Sequence, residues 1–98
     1  MTITDVRFSP NLDPETRLPF VGPKGLAGFA SCILDDSFFL GNIGVYERLD
    51  GGYRLTFPVR ISARQKEFKI YFPLTRVVYE LLLKAVVDQM LTRTHTLP

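Results

Sequence analysis

Residues 57–73, FPVRISARQKEFKIYFP, set Arg60, Arg64, Lys66 and Lys69 against a single carboxylate, Glu67, between two Phe-Pro pairs. Cations this close together can neutralise neighbouring phosphate oxygens, provided that they reach one surface. With Arg54 the window 54–69 carries five cations and a net charge of +4, and Tyr53, Phe57, Phe68 and Tyr71 lie within or beside it. The same composition suits a solvated loop between two strands, and aromatics at alternating strand positions read as core rather than as stacking platforms.

Other chemistries lack their parts. His95 is the only histidine and stands three residues from the end, a poor position for a general base. Cys32 is the only cysteine and is 63 positions away from it, so the pair cannot supply the usual four-ligand zinc set. Asp35-Asp36 is a carboxylate pair, but adjacent aspartates between apolar runs read first as turn formers. The seven glycines fit neither a dinucleotide fingerprint nor a Walker loop. The expectation is a chain without catalytic residues, metal, cofactor or small-molecule substrate.

The whole molecule bounds these readings. Its 98 residues, 46% of them hydrophobic, suffice for one core, so residues 1–98 are expected to form one domain. The net charge of +2 does not by itself point to nucleic acid, but the halves differ. Residues 1–50 carry four basic and seven acidic side chains, net −3, whereas residues 51–98 carry eight and three, net +5. A lone Cys32 within FASCIL forms no intrachain disulfide and reads as a small buried hydrophobe. Asp5, Arg7, Asp13, Glu15 and Arg17 interrupt any signal-peptide core in residues 1–20, and no apolar run reaches the ~18 residues of a membrane span. The expected location is cytoplasmic.

The basic stretch needs elements to hold it. TITDVRF (2–8) reads as a first strand, followed by a loop over 9–25 that holds four of the seven prolines. LAGFASCIL (26–34) and FFLGNIGVYERL (38–49) form a hairpin about Asp35-Asp36-Ser37. Asp50-Gly51-Gly52 turns the chain into YRLTFPV (53–59), and EFKIYF (67–72) is a fifth strand with Phe68, Ile70 and Phe72 inward. A helix over 75–92 follows, with Thr75 as N-cap and Leu74 meeting Tyr79 as a staple; 93–98 is a frayed tail. The fold expected is α+β, a small antiparallel sheet of about five strands with one C-terminal helix.

Arg76, Glu80, Lys84 and Asp88 make one narrow charged stripe on that helix, and nearly everything else on it is apolar. One sheet covers one side of a helix. Leaving further Leu or Val side chains in water forgoes several kcal/mol at about 25 cal/mol per Å². The expectation is a dimer that buries the second side, with the 9–25 loop folding over the helix as the alternative.

ITDVR (3–7), ASCILDDSFFLGNIGVYE (30–47), GGYRLTFPVR (51–60) and EFKIYFPLTRVVYELLLKAVVDQM (67–90), in that order, resemble the SpoVG family, the stage V sporulation protein G septation regulators. The resemblance spans nearly the whole chain, with Phe57-Pro58 and Arg60 at matching positions and a 9–25 connection longer than is usual for that family. It implies a cytoplasmic homodimer that binds DNA, with RNA as a second candidate, through basic residues after the Pro58 position and on the helix. Carried over, these are Arg60, with Arg64, Lys66, Arg76 and Lys84 as looser matches; the residue reading adds Lys69. The competing reading is a protein-interaction module of the same fold, linked to septation or sporulation control, recruiting a partner through Leu18, Pro19, Phe20 and the apolar helix.

Overall fold

The computed structural model describes residues 1–95, with side chains through residue 92. The fold is α+β. Strands β1 (Ile3–Pro10), β2 (Leu26–Leu34), β3 (Phe38–Glu47) and β4 (Tyr53–Thr56) form an antiparallel meander in the order β1-β2-β3-β4. Strands β5 (Val59–Ile61) and β6 (Glu67–Lys69) pair with each other in a separate two-stranded hairpin. Helix α1 (Arg76–His95) closes the chain and packs against β1 and β4. The single five-stranded sheet expected from sequence is therefore six strands in two sheets.

Turn chemistry sets the meander. Asp35, Asp36 and Ser37 connect the pair Leu34–Phe38; Asp35 and Asp36 adopt left-handed φ values of 51° and 52°, and Ser37 donates its amide to the Leu34 carbonyl at 3.0 Å. The Asp35 carboxylate accepts the Thr2 amide at 2.7 Å, which occupies it in tying down the start of β1. The Asp50-Gly51-Gly52 turn carries Gly51 at φ 93°. Alternation then sorts the side chains. Phe8, Ala30, Cys32, Ile43, Val45 and Leu55 face inward and are buried with Leu82 and Val86 of α1 in one core.

Pro58 decides where the large sheet ends. It has no N–H to donate, and the β3–β4 ladder stops at the pair Gly44–Thr56. The run expected as one strand over 53–59 splits there, and its last residue, Val59, opens β5. The following run also inverts. Tyr71 turns inward, donating its hydroxyl to the Gly41 carbonyl at 2.6 Å and packing edge-to-face on Phe57, with ring centroids 5.8 Å apart. Phe68, Ile70 and Phe72, expected inside, stay exposed.

Thr75 caps α1 as expected, its hydroxyl accepting the Val78 amide at 3.3 Å. The expected staple does not form, because Leu74 is 88% exposed. The helix backbone extends three residues past the expected end at residue 92. Of the expected frayed tail, residues 96–98 and every side chain from residue 93 on lie outside the described part. The 9–25 segment is more ordered than a plain loop. Asn11 binds the Ala27 and Leu26 carbonyls through its amide and side chain, and Phe20 returns its amide to the Asn11 carbonyl. Phe20 and Met90 line one shallow depression with Phe8, so this segment reaches the C-terminal part of the helix. Val77 and Leu81, near the other end, remain exposed.

Candidate nucleic-acid interface

The basic hairpin owes its shape to a tight turn. Ser62 accepts the Gln65 amide at 2.9 Å, donates its own amide to the Lys66 carbonyl at 2.9 Å, and offers its hydroxyl to the Lys66 amide at 3.2 Å. Gln65 takes a left-handed φ of 65°. Arg64 thus sits at the apex of a hydrogen-bonded turn rather than in an open loop, and Ile70 continues the pairing by donating to the Pro58 carbonyl at 3.0 Å.

Register then sorts the charges by face. Cross-strand partners are Val59–Lys69, Arg60–Phe68 and Ile61–Glu67. Successive residues of a strand point to opposite faces. Arg60 and Phe68 therefore share one face, while Val59, Ile61, Glu67 and Lys69 share the other. Lys66 joins the first group, its ammonium 5.5 Å from the centre of the Phe68 ring. Lys69 lies instead over Phe72 at 4.6 Å. The stretch's single carboxylate is thereby on the face away from Arg60 and Phe68.

All residues of β5 and β6 are exposed. Among the described residues, Arg60, Arg64, Lys66 and Lys69 form no ion pair with a carboxylate. The helix cations differ. Arg76 pairs with Glu80 at 3.6 Å and Lys84 with Asp88 at 2.8 Å, so their charge is partly balanced on the same helix face. The hydrogen bond and charge of Asp88 raise the pKa of Lys84 above its usual value. A phosphate reaching Arg76 or Lys84 competes with those carboxylates. The structure thus sets Arg60 and Lys66 on one face of the hairpin with Phe68, Arg64 at its turn and Lys69 on the opposite face, and places Arg76 and Lys84 on a separate element.

Sequence reasoning missed Phe68. It is 48% exposed and lies between Arg60 and Lys66, the arrangement that lets a ring stack on a base while cations meet its phosphates. Alternation alone gives Phe68 to the core; only the β5–β6 ladder places it opposite Arg60 on an exposed face. Asp35 and Asp36 belong to the turn already described, and among the described residues no group of three or more His, Cys, Asp or Glu side chains is placed to hold a metal ion. Cys32 is buried in the core, and burial raises its thiol pKa. Nor is any described helix long and apolar enough to cross a membrane. Compared with known families, curated proteins and solved structures, the chain matches no family model, no curated protein and no solved structure.

Proposed function

We propose that this chain is a non-enzymatic nucleic-acid-binding regulator that acts as a homodimer. The observation that carries the reading is the basic hairpin, in which Arg60 and Lys66 flank an exposed Phe68, Arg64 stands at the turn, and Glu67 is on the opposite face. Three exposed cations on one short hairpin, none in an ion pair among the described residues, suit a run of phosphates. Lys69, on the opposite face, and Arg76 and Lys84, which already have carboxylate partners, add weaker contacts. The resemblance of 3–7, 30–47, 51–60 and 67–90 to the SpoVG regulators supports the same reading, DNA being the first partner expected and RNA the second, in the cytoplasm.

The homodimer rests on apolar surface near the hairpin and the start of α1. Ile61 is 61% exposed, Val77 70% and Leu81 43%, whereas the depression that Phe20 shares with the helix is at Met90. A second copy of the chain removes that surface from water at a gain of about 25 cal/mol per Å². Two hairpins on one dimer also raise the effective concentration of cations along a duplex.

A second reading has its own observation. A groove of about 480 Å³ between the end of the sheet and the start of α1 is lined by apolar groups including Leu34, Leu40, Phe57, Phe72 and Leu74. It would receive apolar side chains of a protein partner, making the chain an interaction module. The combined variant Arg60→Glu, Arg64→Glu, Lys66→Glu separates the two: loss of nucleic-acid binding with the dimer intact supports the regulator, and unchanged binding rejects it.

A further inference from the structure

The face of the meander turned away from α1 carries a second set of aromatic and cationic groups. Phe29 and Phe39 are 47% and 70% exposed and line a depression of about 290 Å³ together with Ser31 and Gly41. Arg7 and Ser9, the cross-strand partners of Ser31 and Phe29, close its β1 side, and Asn42 adds a polar group at its edge. Farther along the sheet, the Arg54 guanidinium lies 4.3 Å from the centre of the Tyr46 ring.

A Cβ at Gly41 would come within 2.8 Å of the Phe39 ring, so glycine lets this exposed ring lie close over the backbone. From the core side, Tyr71 holds the Gly41 carbonyl. Gly41 is thus held by a hydrogen bond while the neighbouring Phe39 side chain stays exposed.

We infer that this sheet face is a stacking site for unpaired bases of a single-stranded nucleic acid, with a base between Phe29 and Phe39 and its phosphate on Arg7. The inference rests on the nucleic-acid reading above and adds the strandedness of the ligand. Two observations favour this occupant over an apolar protein segment. The slot combines exposed rings with serine and asparagine hydrogen-bonding groups, unlike the apolar groove beside α1. Charge is also complementary: Arg7 borders the slot and Arg54 lies farther along the same face, and Asp5, 3.2 Å from Arg7, makes a solvent-exposed pair that a phosphate can replace. Bases stacked inside a duplex cannot enter such a slot, whereas splayed single-stranded bases can.

The test uses the full chain, a mixed-sequence single strand carrying the fluorescent base 2-aminopurine, and the matching duplex. Phe29→Ala with Phe39→Ala should weaken single-strand binding by about tenfold or more and abolish quenching of the probe base, leaving duplex affinity unchanged. Because both rings are exposed, the variant keeps its fold, which thermal unfolding verifies. Phe29→Leu with Phe39→Leu retains apolar surface without the rings, and full single-strand affinity in that variant overturns stacking. Wild-type affinity in the alanine variant, alongside lost binding in the hairpin variant, overturns the slot but not the hairpin. A wild-type chain that binds neither polymer overturns both, and a halved mass of the alanine variant assigns the face to a second copy instead.

Discussion

The Leu55 amide donates to the Tyr79 hydroxyl at 2.9 Å, so a side chain of α1 closes the edge of β4. In the antiparallel pairing of β3 with β4, Leu55 points its N–H away from the ladder, where a neighbouring chain could otherwise add a strand. The Tyr79 ring also packs edge-to-face on Phe57, with centroids 6.4 Å apart. Helix and sheet edge are therefore joined at one residue.

Replacing Tyr79 by Phe keeps the ring contact and leaves a part-buried amide without its partner. The expected cost is about 1 to 2 kcal/mol, or a fall of roughly 4 to 16 °C in unfolding temperature for a domain of this size. Thermal unfolding followed by circular dichroism measures it, and an unchanged midpoint would show that water replaces the hydroxyl.

Tyr71 makes stability depend on alkaline pH. Burial, with a smaller contribution from the charge of ionised Cys32, pushes its pKa from 10.0 to about 12. The folded state holds the phenolic proton more tightly than the unfolded chain. The resulting stabilisation is complete below pH ~10 and is lost as pH rises toward ~12. Tyr71→Phe should remove part of that decline between pH 10 and 12, as measured by denaturant unfolding at a series of pH values. Parallel curves for the two proteins would contradict the burial of this hydroxyl.

Much of this arrangement was legible in the sequence. LAGFASCIL occupies β2 end to end, Asp35-Asp36 makes the turn, Thr75 caps the helix, and Cys32 is inside, since short-range turn and cap chemistry with clean alternation decides each of them. The inversion of residues 67–72 was not legible. Alternation alone gives Phe68, Ile70 and Phe72 the better claim to the core, but Tyr71 reaches both Phe57 and the Gly41 carbonyl, partners 14 and 30 residues distant in sequence. Of the candidate site, the cluster of cations could be read directly. Its sorting into two faces could not, because register is fixed by the ladder and the Ser62 turn rather than by composition.

The dimer is tested where apolar surface remains on α1. Val77→Glu with Leu81→Glu puts charge on two exposed positions and should leave the fold unperturbed. Sedimentation equilibrium should give twice the chain mass for the wild type and the chain mass for the variant. A wild-type mass of one chain would reject the dimer.

The hairpin variant Arg60→Glu, Arg64→Glu, Lys66→Glu should retain the wild-type unfolding temperature, since all three positions are exposed and unpaired with carboxylates. Its duplex binding should weaken, and the slope of log affinity against log salt should shrink by about 0.9 for each phosphate that the variant no longer neutralises. Removing Lys69 alone should have a smaller effect, because it lies on the other face.

The most direct test is fluorescence anisotropy of the wild-type chain with a mixed-sequence DNA duplex and a single-stranded RNA, titrated at low and at near-physiological salt. Micromolar or tighter binding that falls steeply with salt is the predicted result, the slope counting the phosphates that the cations meet. Absence of binding to both polymers at low salt would contradict the account and leave the apolar groove beside α1 as the surface to pursue.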